Sequence, residues 1–419
     1  QSLIVAYQDD KEVEELTAQL IFGAIDANGK LPVTVKDFYP IQSGIEIKKN
    51  QRLKYTLPEE VKISSTYLRH LIDSIAGLGI EKKAFPGCQV LIAKEGKVIY
   101  HKSYGFLTYE NMLPVQNDVL YDLASITKIT APLPAIMKLY DEKKINLDAP
   151  FSEYFAEFKN SNKADLIVRD ILTHQARLQP YIPFYLEPGT KSTIRNGIFK
   201  DRPSEQFQVR ISKDMYVKND FEKQIINDIV KSPLLQKKEY VYSDLGFGLL
   251  RFVTERLTGQ SFQEYLNQEF YKPLGASSTG FKPYERFPIP QIVPTEDDQT
   301  FRKELLQGYV HDEMAAVLGG VSGNAGLFSN ANDLAKVMQM YLKSGYYGGK
   351  QYIQPATINE FTKVQFPQTS NHRAIGFDKP NVDITGLKNK FPAADASPES
   401  YGHIGYTGTF TWVDPENQL

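Results

Sequence analysis

The 419-residue sequence contains a single cysteine, Cys88, and a single tryptophan. One thiol excludes an internal disulfide and any zinc site built from several cysteines. There is no surplus of either charge: 48 Lys and Arg stand against 50 Asp and Glu, a formal net charge of -2. That balance excludes a strongly basic nucleic-acid binder and a polyacidic chain. No apolar run approaches the ~20 residues that a membrane-spanning helix needs. Repeats, low-complexity tracts and heptads are missing. So are a G-x-S-x-G elbow, a phosphate-binding lysine loop, an H-E-x-x-H pair and a G-x-G-x-x-G turn. What remains is an ordinary globular composition, 42% hydrophobic and 23% charged, with 25 Tyr and 24 Phe. It suits a well-packed α/β or α+β body of one large or two modest domains.

The pattern along the chain divides it. Residues 3–6 read as a short buried strand, and 12–27 as an amphipathic helix with Leu16, Leu20 and Phe22 on its apolar side. Asn28-Gly29 stops that helix and 31–35 is extended. A strand–helix–strand of ~45 residues cannot bury its own apolar face. It therefore packs on the rest of this chain or closes another domain. Residues 46–60, charged and Pro-punctuated, read as a linker, and a new unit begins at 61. There the spacing predicts a helix near 67–76, a strand over 88–93, a Glu95-Gly96 hairpin turn and a returning strand over 98–100. Helical periodicity recurs over 125–142 and 333–342. Residues 175–238 lack clean periodicity and suit a long lid-like excursion. The Gly-rich stretch 319–326 follows no clear strand and carries no Lys, so it reads as a tight structural loop rather than a phosphate cradle.

Ser125-Ile126-Thr127-Lys128 is the sequence's single Ser-x-x-Lys match. The plain reading is an N-cap serine and a solvated lysine. Its placement argues for more. Ser125 opens a predicted helix, where unpaired N–H groups and the dipole favour developing negative charge. Lys128, one turn on, shares its face. A lysine held among apolar groups loses its proton more readily and can help deprotonate a serine. Such chemistry also wants a phenol or amide nearby. Of four Tyr-x-Asn/Asp matches, only Tyr242-Ser243-Asp244 lies between a polar loop and the start of a buried helix, where both side chains can point into one cleft. A helix-capping Asp beside a packed Tyr is the competing reading. A third element is His403-Ile404-Gly405-Tyr406-Thr407-Gly408, leading into a strand over 410–413. Its glycines let a strand lie close to a ligand, although His403 alone would pass for an edge residue.

In this order and at these separations the three elements resemble the penicillin-recognising serine hydrolases. That superfamily holds class C β-lactamases, D-alanyl-D-alanine carboxypeptidases, D-aminopeptidases and related esterases. The resemblance covers about residues 60–419, with supporting stretches at Tyr121-Asp-Leu-Ala-Ser125, Ile171-Leu-Thr-His174 and 326–334. It implies an α+β, β-lactamase/transpeptidase-like fold: an antiparallel sheet flanked by helices, plus a mainly helical lobe. It implies no metal or cofactor, and a small-molecule or peptide substrate. Ser125 would acylate, and Lys128 and Tyr242 would shuttle protons. The backbone N–H groups of Ser125 and Tyr406 would form the oxyanion hole, with Gly405, Tyr406 and Thr407 binding substrate. Asp244 and His403 fill the places of the usual Asn and Lys. The Asp loses an amide donor, which weakens the match to efficient β-lactamases, and beside Lys128 it would stabilise the ammonium. The His is similar to the D-aminopeptidase and esterase branches. With an ordinary pKa of ~6.5, its attraction for a substrate carboxylate would fade between about pH 6 and 8.

The first 45 residues resemble the C-terminal tail of glycoside hydrolase family 3, through the helix and Gly29-Lys-Leu-Pro-Val-Thr34 followed by Tyr39-Pro40. Residues 1–45 are then a remnant of such a domain, 46–60 a linker and 61–419 the serine hydrolase. The polypeptide would carry a β-N-acetylhexosaminidase-like glycosidase upstream and continue past Leu419 to complete the sheet. This setting implies peptidoglycan, a muropeptide substrate and an extracytoplasmic, periplasmic site, with no nucleic-acid partner and no membrane span. The competing expectation is a catalytically weak binding or scaffold domain of a bifunctional hexosaminidase.

Overall fold

The computed structural model of the chain describes residues 3–110, 112–381 and 391–419. Its longest strands, Gly87–Lys94 and Lys97–Gly105, flank the expected Glu95-Gly96 turn. Both turn residues have positive φ, 55° and 74°, as a tight hairpin with right-twisted strands requires. The strands pair antiparallel from Gly87↔Gly105 to Lys94↔Lys97, with a bulge at Ile92/Ala93. Lys54–Tyr55 adds a parallel strand on the far side of Lys97–Gly105. The expected linker over 46–60 thus contributes a sheet strand, and Leu53 just before it is buried in the core.

Helix Ser65–Glu81 packs on Lys97–Gly105, and helix Ala331–Leu342 packs on Gly87–Lys94 and on strand Phe410–Val413. The helical core centres on Pro132–Asp141, which buries seven of its ten residues. Helices Asp244–Thr258 and Pro355–Thr362 lie against it. Each fully buried Leu or Ile there contributes about 1.5–3 kcal/mol over leaving it in water.

The single helix expected over 125–142 is broken into three pieces. A 3₁₀ turn Ala124–Ile126 leads into Thr127–Thr130, and Pro132–Asp141 starts afresh after Ala131 at φ −121°. Pro132 has no N–H to donate, and its ring pushes the preceding residue out of the helical region. A second small sheet holds this segment. Leu327–Ser329 is its centre, with Tyr121–Asp122 and Gly280–Phe281 antiparallel on either side. The chain leaves Asp122 directly into the turn carrying Ser125.

Residues 175–238 are more ordered than expected. They form a three-stranded sheet of Phe199–Lys200, Met215–Val217 and Val209–Ser212, followed by helix Phe221–Lys231. That helix buries Phe221, Ile225 and Ile229 at four-residue spacing. The N-terminal segment is less regular than expected. Helix Lys11–Ile21 forms, with Asp10 accepting the Val13 N–H at 2.9 Å, but none of its residues is buried. Leu3, Ile4 and Val5 are exposed and make no strand, and Val35 makes only an isolated bridge to Tyr39. Among the described residues no helix is long and apolar enough to cross a membrane.

Candidate active site

Ser125 sits on a forced turn. Ala124 before it has φ 46°, a region sparsely populated by residues with a Cβ. The turn is held by Asp122 Oδ1, which accepts the Ala124 N–H at 2.9 Å, and by Leu123, whose N–H donates to Leu327 O at 2.9 Å. The other oxygen of the buried Asp122 accepts the His311 N–H at 2.8 Å. Ser125 is the second residue of the 3₁₀ turn, where a backbone N–H has no intrahelical partner.

Lys128 is fully buried. Its ammonium meets Ser125 Oγ at 2.9 Å, Asn324 O at 2.9 Å and Asp244 Oδ1 at 2.6 Å. Three donors find three acceptors, so the charged form is fully satisfied. Burial pulls the Lys128 pKa down, but Asp244 and Tyr242 outweigh it and the net shift is upward. Tyr242 Oη donates to Ser125 Oγ at 3.0 Å, and burial raises its pKa against the opposing pull of Lys128. Ser125 Oγ therefore accepts from two protonated neighbours. Its own proton can leave only when one of them has lost a proton first.

The sequence brings Tyr242 and Asp244 here through the start of helix Asp244–Thr258, with Ser243 at its N-cap. The Ser243 N–H donates to His174 Nδ1 at 3.1 Å, and the Ser243 hydroxyl to Gln179 O at 2.6 Å. Of the residues missed by sequence reasoning, Asn324 is the most direct. It lies in the Gly-rich stretch read as purely structural, yet its carbonyl completes the Lys128 shell. Its amide donates to Asp312 Oδ1 at 2.9 Å. Gly323 lets that loop approach closely, because a Cβ there would run into the Phe247 carbonyl. The glycines were the signal. Arg373, buried under Tyr242 with its guanidinium 5.8 Å from the ring and paired to Asp378, carried none.

The third element forms the hairpin Tyr401–Ile404 and Phe410–Val413, with His403↔Thr411 in register. Its loop is stitched to the segment before Ser125: Thr407 Oγ1 donates to Asp122 O at 2.7 Å, and Thr409 Oγ1 to Leu123 O at 3.0 Å. Gly405 must be glycine, since a Cβ would lie 2.5 Å from Leu123 O. Tyr406 is 86% exposed, its ring stacked on His311 at 5.1 Å, and among the described residues its N–H has no acceptor. Thr407, expected to bind substrate, has its hydroxyl engaged by the Asp122 carbonyl.

His403 departs from expectation. It is 2% exposed, and its Nδ1–H donates to Ile404 O at 2.6 Å. Burial pushes its pKa down to about 4, with Asp378 opposing and Arg373 and Lys128 assisting. The expected titration between pH 6 and 8 is thus overturned: the ring is neutral there and offers no cation to a carboxylate. Its strand position faces the packed interior, whereas the neighbouring Ile404 is exposed.

Similarities to known proteins bear on the family and the fold. The family model for beta-lactamase matches residues 68–419. A curated Escherichia coli (strain K12) protein named "Putative D-alanyl-D-alanine carboxypeptidase" is 31% identical over 364 residues, 80% of this chain and 77% of its own length. Among solved structures, EstCE1, titled a hydrolase with promiscuous acyltransferase activity, superposes with a TM-score of 0.62. It is 18% identical, with 84% of this chain and 92% of that chain covered. The octameric penicillin-binding protein homologue from Pyrococcus abyssi gives a TM-score of 0.59 at 21% identity, covering 83% of this chain and 71% of that one. At those identities the two structures speak for the fold alone.

Proposed function

The chain belongs to the beta-lactamase family of serine hydrolases, and from that premise we propose that it works through an acyl-enzyme on Ser125, of the Ser-x-x-Lys type. The observation that carries this reading is the position of Ser125 Oγ, within hydrogen-bond distance of both Lys128 Nζ and Tyr242 Oη. In the reaction, Ser125 Oγ attacks the carbonyl carbon of an ester or amide. Its proton passes to whichever of Tyr242 and Lys128 has been deprotonated. The negative charge that forms on the carbonyl oxygen is received by the N–H groups of Ser125 and Tyr406. The proton then goes to the leaving group, and water attacks the acyl-serine to release the acid and restore the hydroxyl.

The name of the carboxypeptidase relative supports a peptide substrate ending in D-alanine; a muropeptide substrate and an extracytoplasmic, periplasmic setting are inferred from the glycoside hydrolase resemblance of the first 45 residues. The resemblance of the first 45 residues to glycoside hydrolase family 3 supports a glycosidase domain upstream in the same polypeptide. A slower reading has its own observation: Asp244 holds Lys128 as an ammonium, which suits a domain that binds or is acylated but turns over weakly.

Intact-mass spectrometry after incubation with a fluorophosphonate probe or a labelled penicillin tests the core of this. Wild type is expected to gain one adduct, mapped to Ser125. Absence of any adduct with either reagent would overturn the nucleophile assignment. A screen of D-amino-acid peptides, muropeptides, short-chain esters and nitrocefin then separates turnover from stable acylation.

A further inference from the structure

We propose that His174 is a positioning residue for this reaction, gripping the Tyr242–Asp244 turn so that the phenol and the carboxylate reach Ser125 and Lys128 together. The inference rests on the reading of Tyr242 as the proton-handling partner of Ser125. His174 touches the turn in three ways. Its Nδ1 accepts the Ser243 N–H at 3.1 Å, its carbonyl accepts the Val241 N–H at 2.9 Å, and its ring stacks on Tyr242 with centroids 4.3 Å apart. The other stacking contact is Phe247, at 5.2 Å on the helix that follows. Tyr242 is thus packed against an imidazole whose edge is tied to the next residue in the chain.

The chemistry fixes the state of that imidazole. Nδ1 can accept an N–H only if it carries no proton, so the ring is neutral with its hydrogen on Nε2. A second proton would set Nδ1–H against the Ser243 N–H and break the grip. The surroundings oppose that proton: burial comes first, then the charges of Arg373 and Lys128, then His403, and together they keep the pKa well below 6.5. Tyr240 and Tyr242, the other titratable groups against the ring, are phenols. The backbone marks the same position, because His174 has φ 56°, the strained left-handed region. Strain of this kind persists where surrounding structure over-determines it, and functional sites are where it gathers. A buried histidine present only to fill space would need neither the left-handed backbone nor the bond to Ser243.

Two substitutions take the grip apart. His174→Asn tolerates the left-handed backbone but loses the ring that supports Tyr242. His174→Phe keeps a ring but leaves the Ser243 N–H without an acceptor. The measurement is the rate of Ser125 acylation by a fluorophosphonate probe, with kcat and KM for p-nitrophenyl butyrate alongside, in wild type, in each variant, in Tyr242→Phe and in the double variants. Each single His174 variant should acylate about 10- to 100-fold more slowly, the cost of misplacing a reacting group by about an ångström. KM should stay within about threefold. In the Tyr242→Phe background, adding either His174 change should cost less than about twofold, because the two residues act as one unit.

Equal fold-losses in both backgrounds would overturn the proposal and leave His174 a structural residue. So would single variants within about twofold of wild type. Circular dichroism melts identify a variant that has not folded, and the other variant then decides. Labelling that persists in Ser125→Ala would defeat the reading of the site itself, an outcome distinct from either of these.

Discussion

Helix Lys11–Ile21 and helix Pro132–Asp141 are nearly equal in length, eleven and ten residues, and both have an apolar side. The second buries seven residues under two other helices. The first buries none, and Leu16, Ile21 and Phe22 at its end stand in solvent. The Gln19 side chain ties the first helix to the strand at Tyr55: it donates to Tyr55 O at 3.1 Å and accepts the Tyr55 N–H at 2.8 Å. Amphipathic spacing therefore states which face a helix offers, and only tertiary structure states whether this chain covers it. The segment that holds Ser125 lies at the covered extreme, with Ile126, Thr127, Lys128 and Ile129 all fully buried.

That contrast can be pressed hardest at Ser125, the proposed nucleophile. Ser125→Ala should lower turnover by about a thousandfold or more, while thermal unfolding moves by no more than ~1 kcal/mol, the scale of a lost helix-start serine. Activity within tenfold of wild type would remove Ser125 from the chemistry. Next in size is the core itself. Ile136→Ala, at a fully buried position, should cost about 2–5 kcal/mol in urea unfolding, from lost transfer energy and the cavity left behind.

A third test uses pH. The folded-state pKa of His403, about 4, lies below its ordinary 6.5. The unfolded chain therefore binds the extra proton first. Stability is complete above about pH 6.5 and is lost as pH falls towards 4, by about 3 kcal/mol from this residue at ~1.36 kcal/mol per unit. His403→Gln should flatten that slope between pH 6.5 and 4, and KM for an anionic peptide should not vary between pH 6 and 8. A slope identical to wild type would show that His403 is not held neutral.

Smaller again is the effect of Asp244→Asn. Removing the carboxylate 2.6 Å from Lys128 lowers the lysine pKa, so the acidic limb of the pH–rate profile should move to lower pH by about one unit. An unmoved limb would mean that the deprotonation governing the rate belongs elsewhere. The smallest effect is reserved for the exposed helix. Ile21→Asp, at a residue 61% exposed, should change stability by no more than about 0.5 kcal/mol. A loss comparable with that of Ile136→Ala would show that something covers the helix in solution.

The part of the site most legible in the sequence was the local part. Ser125 and Lys128 lie one turn apart, so their spacing puts them on one face, while Tyr242 and Asp244 flank the N-cap of one helix, where the loop tip before a buried helix lets both point into one cleft. The hairpin around Glu95-Gly96 was equally readable, because turn chemistry is written in two residues. His403 was misread because a four-residue strand does not reveal what packs over it. Asn324 was missed because it serves through its carbonyl, which every residue possesses. Pro132 did announce the break after Ala131, and the apolar period of the surrounding residues masked it. Lys54–Tyr55 is too short to carry any period. In helix Phe221–Lys231 the spacing of Phe221, Ile225 and Ile229 was present but sat among charged residues and loops.

The two threonine bonds that tie the hairpin loop to the turn before Ser125 also have a consequence in time. Thr407 and Asp122 are separated by 285 positions. A ribosome adding about 5–20 residues per second takes roughly a quarter of a minute to a minute to pass from one to the other. During that interval the serine and its lysine already exist in the nascent chain, while the N–H group of Tyr406 has not yet been made. On the proposed mechanism, the serine is thus synthesised early and armed late.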